Sequence, residues 1–284
     1  MVKQGKIKKG LHIYLYYWTI LILIVFILIN YFCKDFKVAN LNIGLMVSIV
    51  SFLFGFLITI TFSMLLSRVS SLKDDLAAET GKIVSIFLLS KYLGERFHKK
   101  IRERIDEYTI NTLRDYEHYD IGRKDIYGIY SYLKSIKIQK NNQNQIANSF
   151  LYILGEWETV REKLENLTGR RTEWSLKFAD YILGIILIGL LFLNRGDLFT
   201  NLLFISLSTI IVFIFLIIED YDNLRIGDYS YNISNSEQIF DLIGKDRYYP
   251  EDIINRVKLQ KGRKYRIGFY DKKRKREEIV GARY

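Results

Sequence analysis

Four long apolar runs dominate this sequence and limit the folds that it can adopt. No formally charged side chain occurs within Leu11–Cys33, Val38–Ser67 or Leu198–Ile218. A helix needs about 20 predominantly apolar residues to cross the hydrocarbon core of a bilayer. The most apolar part of the second run is Ile43–Leu66. Each of these three runs is therefore predicted to form one transmembrane helix.

The fourth run, Trp174–Asn194, is also predicted to span the membrane, although it contains two charged residues. Lys177 and Asp180 are three positions apart, which places them on one face of a helix, where they can pair. Both lie near one end of the run, where a lysine can extend its amine to the membrane interface. Asp180 has two interpretations, a structural partner of Lys177 or a functional carboxylate within the bilayer.

The first run has a second interpretation, as a secretory signal peptide. Its apolar core is longer than that of a signal peptide, and no small-x-small cleavage site follows it. A membrane span is therefore the preferred interpretation of residues 11–33.

Basic residues near the ends of the spans predict the orientation of the chain. The two short connections, after the first and third spans, carry few charges, whereas the N-terminus and both long connections are basic. We expect a multi-pass protein of the cell membrane, with cytoplasmic N- and C-termini. This topology accounts for much of the net charge of +11, so nucleic acid is not expected as a partner.

Four segments follow from this topology. They are transmembrane spans 1 and 2 (1–66), a cytoplasmic helical region (67–173), spans 3 and 4 (174–218), and a cytoplasmic tail with a basic C-terminus (219–284). Apolar residues recur at helical intervals through 69–113, with Gly81 and Gly94 as expected bends. A further helix is predicted over 143–168, whereas residues 120–142 are polar and mixed. In the tail, a loop precedes a helix near 236–243.

The end of the tail is strongly basic. It contains a KKRKR run, for which a solvated tail and contact with anionic lipid headgroups or a partner are both open interpretations. The residues of this run are Lys272, Lys273, Arg274, Lys275 and Arg276.

Several classes of chemistry are excluded by composition. One cysteine, Cys33, cannot form an intramolecular disulfide or a cysteine-based zinc cluster, and neither common nucleotide-binding glycine motif is present. The acidic and histidine residues of 115–120 favour a polar helix end over a metal site. No residue set for catalysis is found, so we expect a non-enzyme without cofactor or metal.

The second span carries the most informative pattern. Small residues recur every four positions at Ser51, Gly55, Thr59 and Ser63, which places them along one helical face. Such faces let transmembrane helices approach closely. The alternative is that this region lines a pore. An adjacent ridge with the same spacing would then form stacked rings in a symmetric oligomer, with phenylalanines as an apolar constriction; it consists of Ser48, Phe52 and Phe56.

Residues 51–59, SFLFGFLIT, resemble the neck segment of the bestrophins, SF-x-x-GF-x-x-T. The layout is also similar, with two spans, a helical cytoplasmic insert, two spans and a tail. Further features resemble the prokaryotic bestrophin-like family. They are Glu79, Tyr108, Arg170-Arg171 ahead of the third span, and a turn after the fourth span with Asp222, Asn223 and Gly227.

The resemblance implies an all-α membrane protein that forms a symmetric oligomer, expected to be a pentamer, and conducts inorganic anions such as chloride. Its neck would be lined at Ser48, Phe52 and Phe56, with Thr59 and Ser63 facing ions or neighbouring helices. Ser48 departs from the family, where a larger apolar residue is usual. The acidic calcium site of animal bestrophins is expected to be missing, because acids after the fourth span are sparse and better suited to capping a turn; they are Glu219, Asp220, Asp222 and Asp228.

Two functional hypotheses remain. The first is a bestrophin-like oligomeric anion channel whose partners are membrane lipids, identical subunits and inorganic anions. The second is a non-conducting membrane scaffold or sensor that binds a partner through its cytoplasmic helices and basic tail. The oligomeric state separates the two hypotheses, because a monomer or dimer is incompatible with an axial pore.

Overall fold

The computed structural model describes residues 11–33, 43–114, 122–134, 141–169, 171–223, 228–254, 257, 259–271 and 276–283. Helices form most of this part of the chain. They are α1 (Leu11–Phe32), α2 (Ile43–Ser90), α3 (Glu95–Arg114), α4 (Arg123–Lys134), α5 (Asn141–Gly169), α6 (Trp174–Leu193), α7 (Leu198–Asp222), α8 (Asp228–Ile243) and α9 (Glu251–Ile254). A short 3₁₀ helix, Lys91–Leu93, separates α2 from α3.

The described residues fall into two compact units. The apolar unit comprises those within Met1–Val69 and Arg171–Ile226. The polar unit comprises those within Ser70–Arg170 and Gly227–Tyr284. Helix α2 contributes its first part to the apolar unit and its second part to the polar unit.

The apolar unit contains four helical segments that are long and apolar enough to cross a membrane: α1, α2, α6 and α7. Their packed core is formed by side chains of all four helices, including Phe26, Ile58, Leu187 and Phe204. The connection between α6 and α7 is closed by a capping box, in which Asp197 accepts a 2.7 Å hydrogen bond from the Thr200 backbone amide. The four predicted spans are thereby confirmed as helices.

The described residues leave much of the apolar surface of this unit uncovered. Only 6% of the residues in Leu15–Phe32 are buried, and large side chains such as those of Leu198 and Phe199 are exposed. An apolar surface of this extent is unfavourable in water and is typical of contact with lipid or with another chain. Backbone hydrogen bonds within each helix satisfy the polar groups that a bilayer cannot.

The polar unit combines helices with a small sheet. Its core includes Ile83, Ile101, Phe150 and Trp157 from α2, α3 and α5. Strands β1 (Arg247–Pro250), β2 (Lys264–Asp271) and β3 (Arg276–Arg283) form a sheet in the order β1-β2-β3. β1 pairs with β2 in parallel, and β2 with β3 antiparallel.

Ion pairs fix the sheet to the helices of the polar unit. Arg266 of β2 donates two hydrogen bonds, of 2.8 and 2.6 Å, to the Asp106 carboxylate of α3. Helix α8 ends at Ile243, and the next residue, Gly244, has a positive φ of 64° that permits the Lys245 amide to reach the Phe240 carbonyl at 3.0 Å. The chain therefore turns sharply from α8 into β1.

The structure corrects several expectations for the polar regions. Gly81 lies within α2 and does not bend the chain out of the helix, whereas Gly94 does end the 3₁₀ turn, with φ 114°. Helix α4 lies within residues 120–142, for which no helix was predicted, and α8 begins at Asp228, earlier than the predicted helix near 236–243. The tail forms the sheet, which the sequence analysis did not anticipate.

Candidate functional site

The predicted pore ridge lies on one exposed face of α2. Phe52 is 74% and Phe56 62% exposed, and Ser48 is exposed on the same side. Thr59 and Ser63 are also exposed and continue this face along the helix. The five predicted pore residues therefore share a surface that is open in the single chain.

The hydroxyl groups of this face are partly satisfied by their own helix. Ser48 Oγ donates to the Gly44 carbonyl at 3.0 Å, and Thr59 Oγ1 donates to the Gly55 carbonyl at 2.7 Å. Each oxygen keeps lone pairs that can accept a further hydrogen bond. At Gly55, an added Cβ would meet nothing within 4 Å. The stripe of small residues thus makes no close helix contact within the described chain.

The opposite face of α2 is buried. Phe54, Ile58 and Leu65 are 6%, 8% and 1% exposed. The ring of Phe54 packs edge-to-face against Phe215 of α7, with ring centroids 6.0 Å apart. Thr61 lies between these apolar residues and is fully buried. One face of α2 is therefore attached to the unit and the other is open.

Thr61 forms a polar link between α2 and α6. Its Oγ1 donates a 2.7 Å hydrogen bond to Oδ2 of Asp180, which is fully buried. The predicted pairing of Asp180 with Lys177 is wrong. The Lys177 amine instead contacts Glu219 Oε1 at 2.9 Å and Asp222 Oδ2 at 2.8 Å, so the lysine links α6 to α7.

Asp222 is the centre of a buried polar network at the end of α7. Its Oδ1 accepts hydrogen bonds from the Thr172 amide at 2.7 Å and the Thr172 hydroxyl at 2.6 Å. Arg68 of α2 donates to the Asp222 carbonyl at 3.1 Å. Tyr181 donates a short hydrogen bond to Glu219. The expectation that these acids only cap a solvated turn is wrong for Asp222, whose side chain is 2% exposed.

These contacts also bear on metal binding. Both carboxylate oxygens of Asp222 accept from protein donors, which leaves little coordinating capacity. Across the described ranges, no group of three or more His, Cys, Asp or Glu side chains is placed to hold a metal ion. The side chain of Asp228 lies outside the described part.

An arginine at the opposite end of α6 has a structural role that the sequence analysis missed. Arg195 donates to the Cys33 carbonyl at 3.0 Å and to the Phe192 carbonyl at 2.8 Å. Its guanidinium lies 3.8 Å from the centroid of the Phe192 ring. Arg195 thus ties the end of α1 to the turn between α6 and α7. Its position at the end of a span was the only signal in the sequence.

A second buried polar cluster lies in the polar unit. Oε1 of Glu79, on α2, accepts a short hydrogen bond from the Tyr108 hydroxyl and lies 3.3 Å from Arg161 Nη1 and 3.4 Å from Trp157 Nε1. Burial raises the pKa of Tyr108 well above its ordinary value, so the phenol stays protonated and remains a donor. Arg161 was not singled out in the sequence, although it follows Trp157 by one helical turn on the apolar face of α5.

Residues 18–231 match the profile of the Bestrophin-like domain. The chain belongs to the Bestrophin-like family. A search of curated proteins found no match.

Solved structures of a bacterial bestrophin homologue from Klebsiella pneumoniae have the same fold as this bestrophin-like chain. One single-residue variant gives a TM-score of 0.61 at 10% identity, covering 82% of this chain and 99% of the other. Another gives 0.59 at 12% identity, covering 85% and 100%. The likeness confirms the predicted fold class, a mainly helical bestrophin-like membrane protein. The sheet of β1–β3 follows the part of the chain that the family profile matches.

Two of the features that led to the family resemblance meet in space, because Glu79 and Tyr108 are hydrogen-bonded partners. Asp222 and Asn223 end α7 in this bestrophin-like protein, as the expected turn requires. Several predicted features lie outside the described residues: the acidic segment 115–120, Arg170, Gly227 and Lys272–Lys275. Arg276 begins β3, and its side chain is not among those described.

Proposed function

We propose that this bestrophin-like protein is a subunit of an oligomeric ion channel, selective for anions such as chloride, with the exposed face of α2 lining the pore. The observation that carries the proposal is the contrast between the two faces of α2. Phe54 and Leu65 pack into the unit, whereas Phe52 and Phe56 project away from it. Membership of the Bestrophin-like family supports the channel class.

The chemistry of the exposed face fits an anion path. In a symmetric ring of subunits, Phe52 and Phe56 would each form an apolar constriction that conducts only when it is hydrated. The edges of aromatic rings carry partial positive charge and can face an anion without a full countercharge. Ser48 would add a ring of hydroxyls at one end of the neck, and Thr59 and Ser63 at the other.

The proposed assembly is a pentamer in the cell membrane, surrounded by lipid. Residues 67–173 and 219–284, together with both termini, would be cytoplasmic, and 1–66 with 174–218 would hold the spans. The basic run from Lys272 to Arg276 would contact anionic lipid headgroups or a partner.

Ion flux from proteoliposomes tests this proposal. Chloride and cation gradients are applied separately to vesicles that contain the wild-type protein, Phe52→Ala or Phe56→Ala. We expect chloride flux in the wild type, and a several-fold change in either variant. Phe199→Ala is the matched control, because this phenylalanine is 68% exposed on α7. Cation flux alone, or equal chloride flux in all four proteins, would contradict the assignment.

The scaffold or sensor hypothesis is favoured by one feature of the polar unit. Strand β3 lies at the edge of the sheet and exposes Ile279 and Val280, by 45% and 43%. An exposed edge strand can accept a strand of a partner protein. The mass of the purified protein in lipid nanodiscs separates the two functions, because a monomer or dimer cannot enclose an axial pore.

A further inference from the structure

The transmembrane carboxyl group of Asp180 is only half satisfied. Its Oδ2 accepts the hydrogen bond from Thr61, but its Oδ1 is buried and, among the described residues, has no hydrogen-bond partner. The residue as a whole has 0% exposure. An ionised carboxylate is acceptor-only and needs donors on both oxygens when it is removed from water. The surroundings of Asp180 provide one.

The charged groups near Asp180 are engaged with each other. On its own helix, the Lys177 amine contacts Glu219 and Asp222, and the Tyr181 hydroxyl donates to Glu219. From α2, Arg68 contacts Asp222. Among the described residues, the end of α7 presents three acids, Glu219, Asp220 and Asp222, and no cation. In the described part of the chain, Asp180 therefore takes part in no ion pair.

We propose that Asp180 and Thr61 form a proton-binding site within the transmembrane unit, occupied at neutral pH. The bound proton converts the carboxylate to a neutral carboxylic acid, whose burial beside one hydroxyl group costs far less than burial of the ion. Release leaves the carboxylate and transfers the proton to water. The ligand of the site is the proton itself.

The position of Thr61 connects this site to the proposed pore. Thr61 follows Phe52 by nine residues, which is about two and a half helical turns and places the two side chains on opposite faces of α2. Proton release would create a negative charge directly behind the pore helix and attract water or a donor to the buried face. This consequence rests on the proposed channel function, whereas proton binding does not.

Infrared spectroscopy of the full chain in lipid vesicles tests proton binding directly. The spectrum of Asp180→Asn is subtracted from that of the wild type at neutral pH. We expect a positive band in the region of protonated carboxylic acids, shifted in heavy water and displaced in Thr61→Val, which removes the hydrogen bond. Asp197→Asn, at an exposed capping carboxylate, should leave this band unchanged.

Absence of the acid band from the difference spectrum would overturn the proposal, because Asp180 would then be ionised. A band that is identical in the wild type and in Thr61→Val would also overturn it, since the site would not include Thr61. Coupling to the pore is read separately as chloride flux against pH. We expect the flux of the wild type to change in alkaline buffer and that of Asp180→Asn to stay constant. Equal pH profiles would refute the coupling.

Discussion

The two faces of α2 in the apolar unit both carry phenylalanine but have opposite surroundings. On one side, Phe54, Ile58 and Leu65 pack against the neighbouring helices, and Thr61 bonds to Asp180. On the other, Phe52 and Phe56 are exposed. Because phenylalanine occurs on both faces, residue type alone does not explain the difference. Packing and one polar link hold the first face, whereas the second is exposed, as the proposed pore requires.

The largest expected effect concerns the buried polar network around Asp222, at the end of α7. Lys177→Met removes the cation between Glu219 and Asp222 and leaves a buried carboxylate with less compensation. We expect a loss of about 3–5 kcal/mol of stability. Thermal unfolding of the purified protein in detergent measures it. Glu173→Gln, which changes an exposed acid just before α6, is the control. Equal melting temperatures of the Lys177→Met and Glu173→Gln variants would contradict this prediction.

The next effect compares the two faces of α2 directly. Phe54→Ala leaves a cavity beside Phe215 and is expected to destabilise the unit by about 3 kcal/mol. Phe52→Ala removes an exposed ring and should change stability by less than about 0.5 kcal/mol. Unfolding of both variants in the same detergent gives the comparison. Equal losses would mean that the two faces do not differ in packing.

A glycine pair extends the comparison to α6. A Cβ at Gly184 would overlap the ring of Phe215 and lie 3.1 Å from Ile211, whereas one at Gly189 would meet nothing within 4 Å. We expect Gly184→Ala to cost about 1–3 kcal/mol through overpacking. Gly189→Ala should be neutral or slightly stabilising, because alanine favours the helix. The reverse order of melting temperatures would show that α6 and α7 do not approach closely at Gly184.

The smallest effect lies where α2 ends in the polar unit. Ser90 contacts His98 Nδ1 at 2.6 Å, and partial burial, with Lys91 and Arg102 nearby, lowers the pKa of His98 below 6.5. The folded protein therefore binds this proton less readily than the unfolded chain. The contribution of the neutral His98 side chain to the free energy of unfolding is fully present above pH 6.5. It is lost as the pH falls through the lowered pKa of the folded protein. The melting temperature of the wild type, measured relative to that of His98→Gln, should therefore increase as the pH is raised to 6.5. A difference in melting temperature that does not change with pH would contradict this prediction.

Local patterns in the sequence predicted the spans and the shared face of the proposed pore residues. Hydropathy over about 20 residues and a four-residue repeat are properties of neighbouring positions, and the helix converts them directly into a face. Thus Phe52 and Phe56 were assigned to the same ridge as Ser48 without knowledge of the rest of the fold.

Contacts between distant residues could not be predicted in this way. Lys177 was paired with Asp180 because the two are three positions apart, but its partner Glu219 is 42 residues away on α7. The parallel pairing of β1 with β2 likewise depends on the intervening chain. Arg161 carries a charge in an otherwise apolar stripe, and only the fold shows that Glu79 compensates it.

Cysteine accessibility on the two faces of α2 tests most directly whether the exposed face lines the pore. The single natural cysteine is changed to serine (Cys33→Ser), and Phe56→Cys and Ile58→Cys are then introduced separately. A charged, membrane-impermeant thiol reagent is added during chloride flux from proteoliposomes. We expect the reagent to reduce chloride flux in Phe56→Cys and to leave the flux of Ile58→Cys unchanged. Inhibition only through Ile58→Cys, or unchanged flux after labelling of Phe56→Cys, would contradict a pore lined by the exposed face.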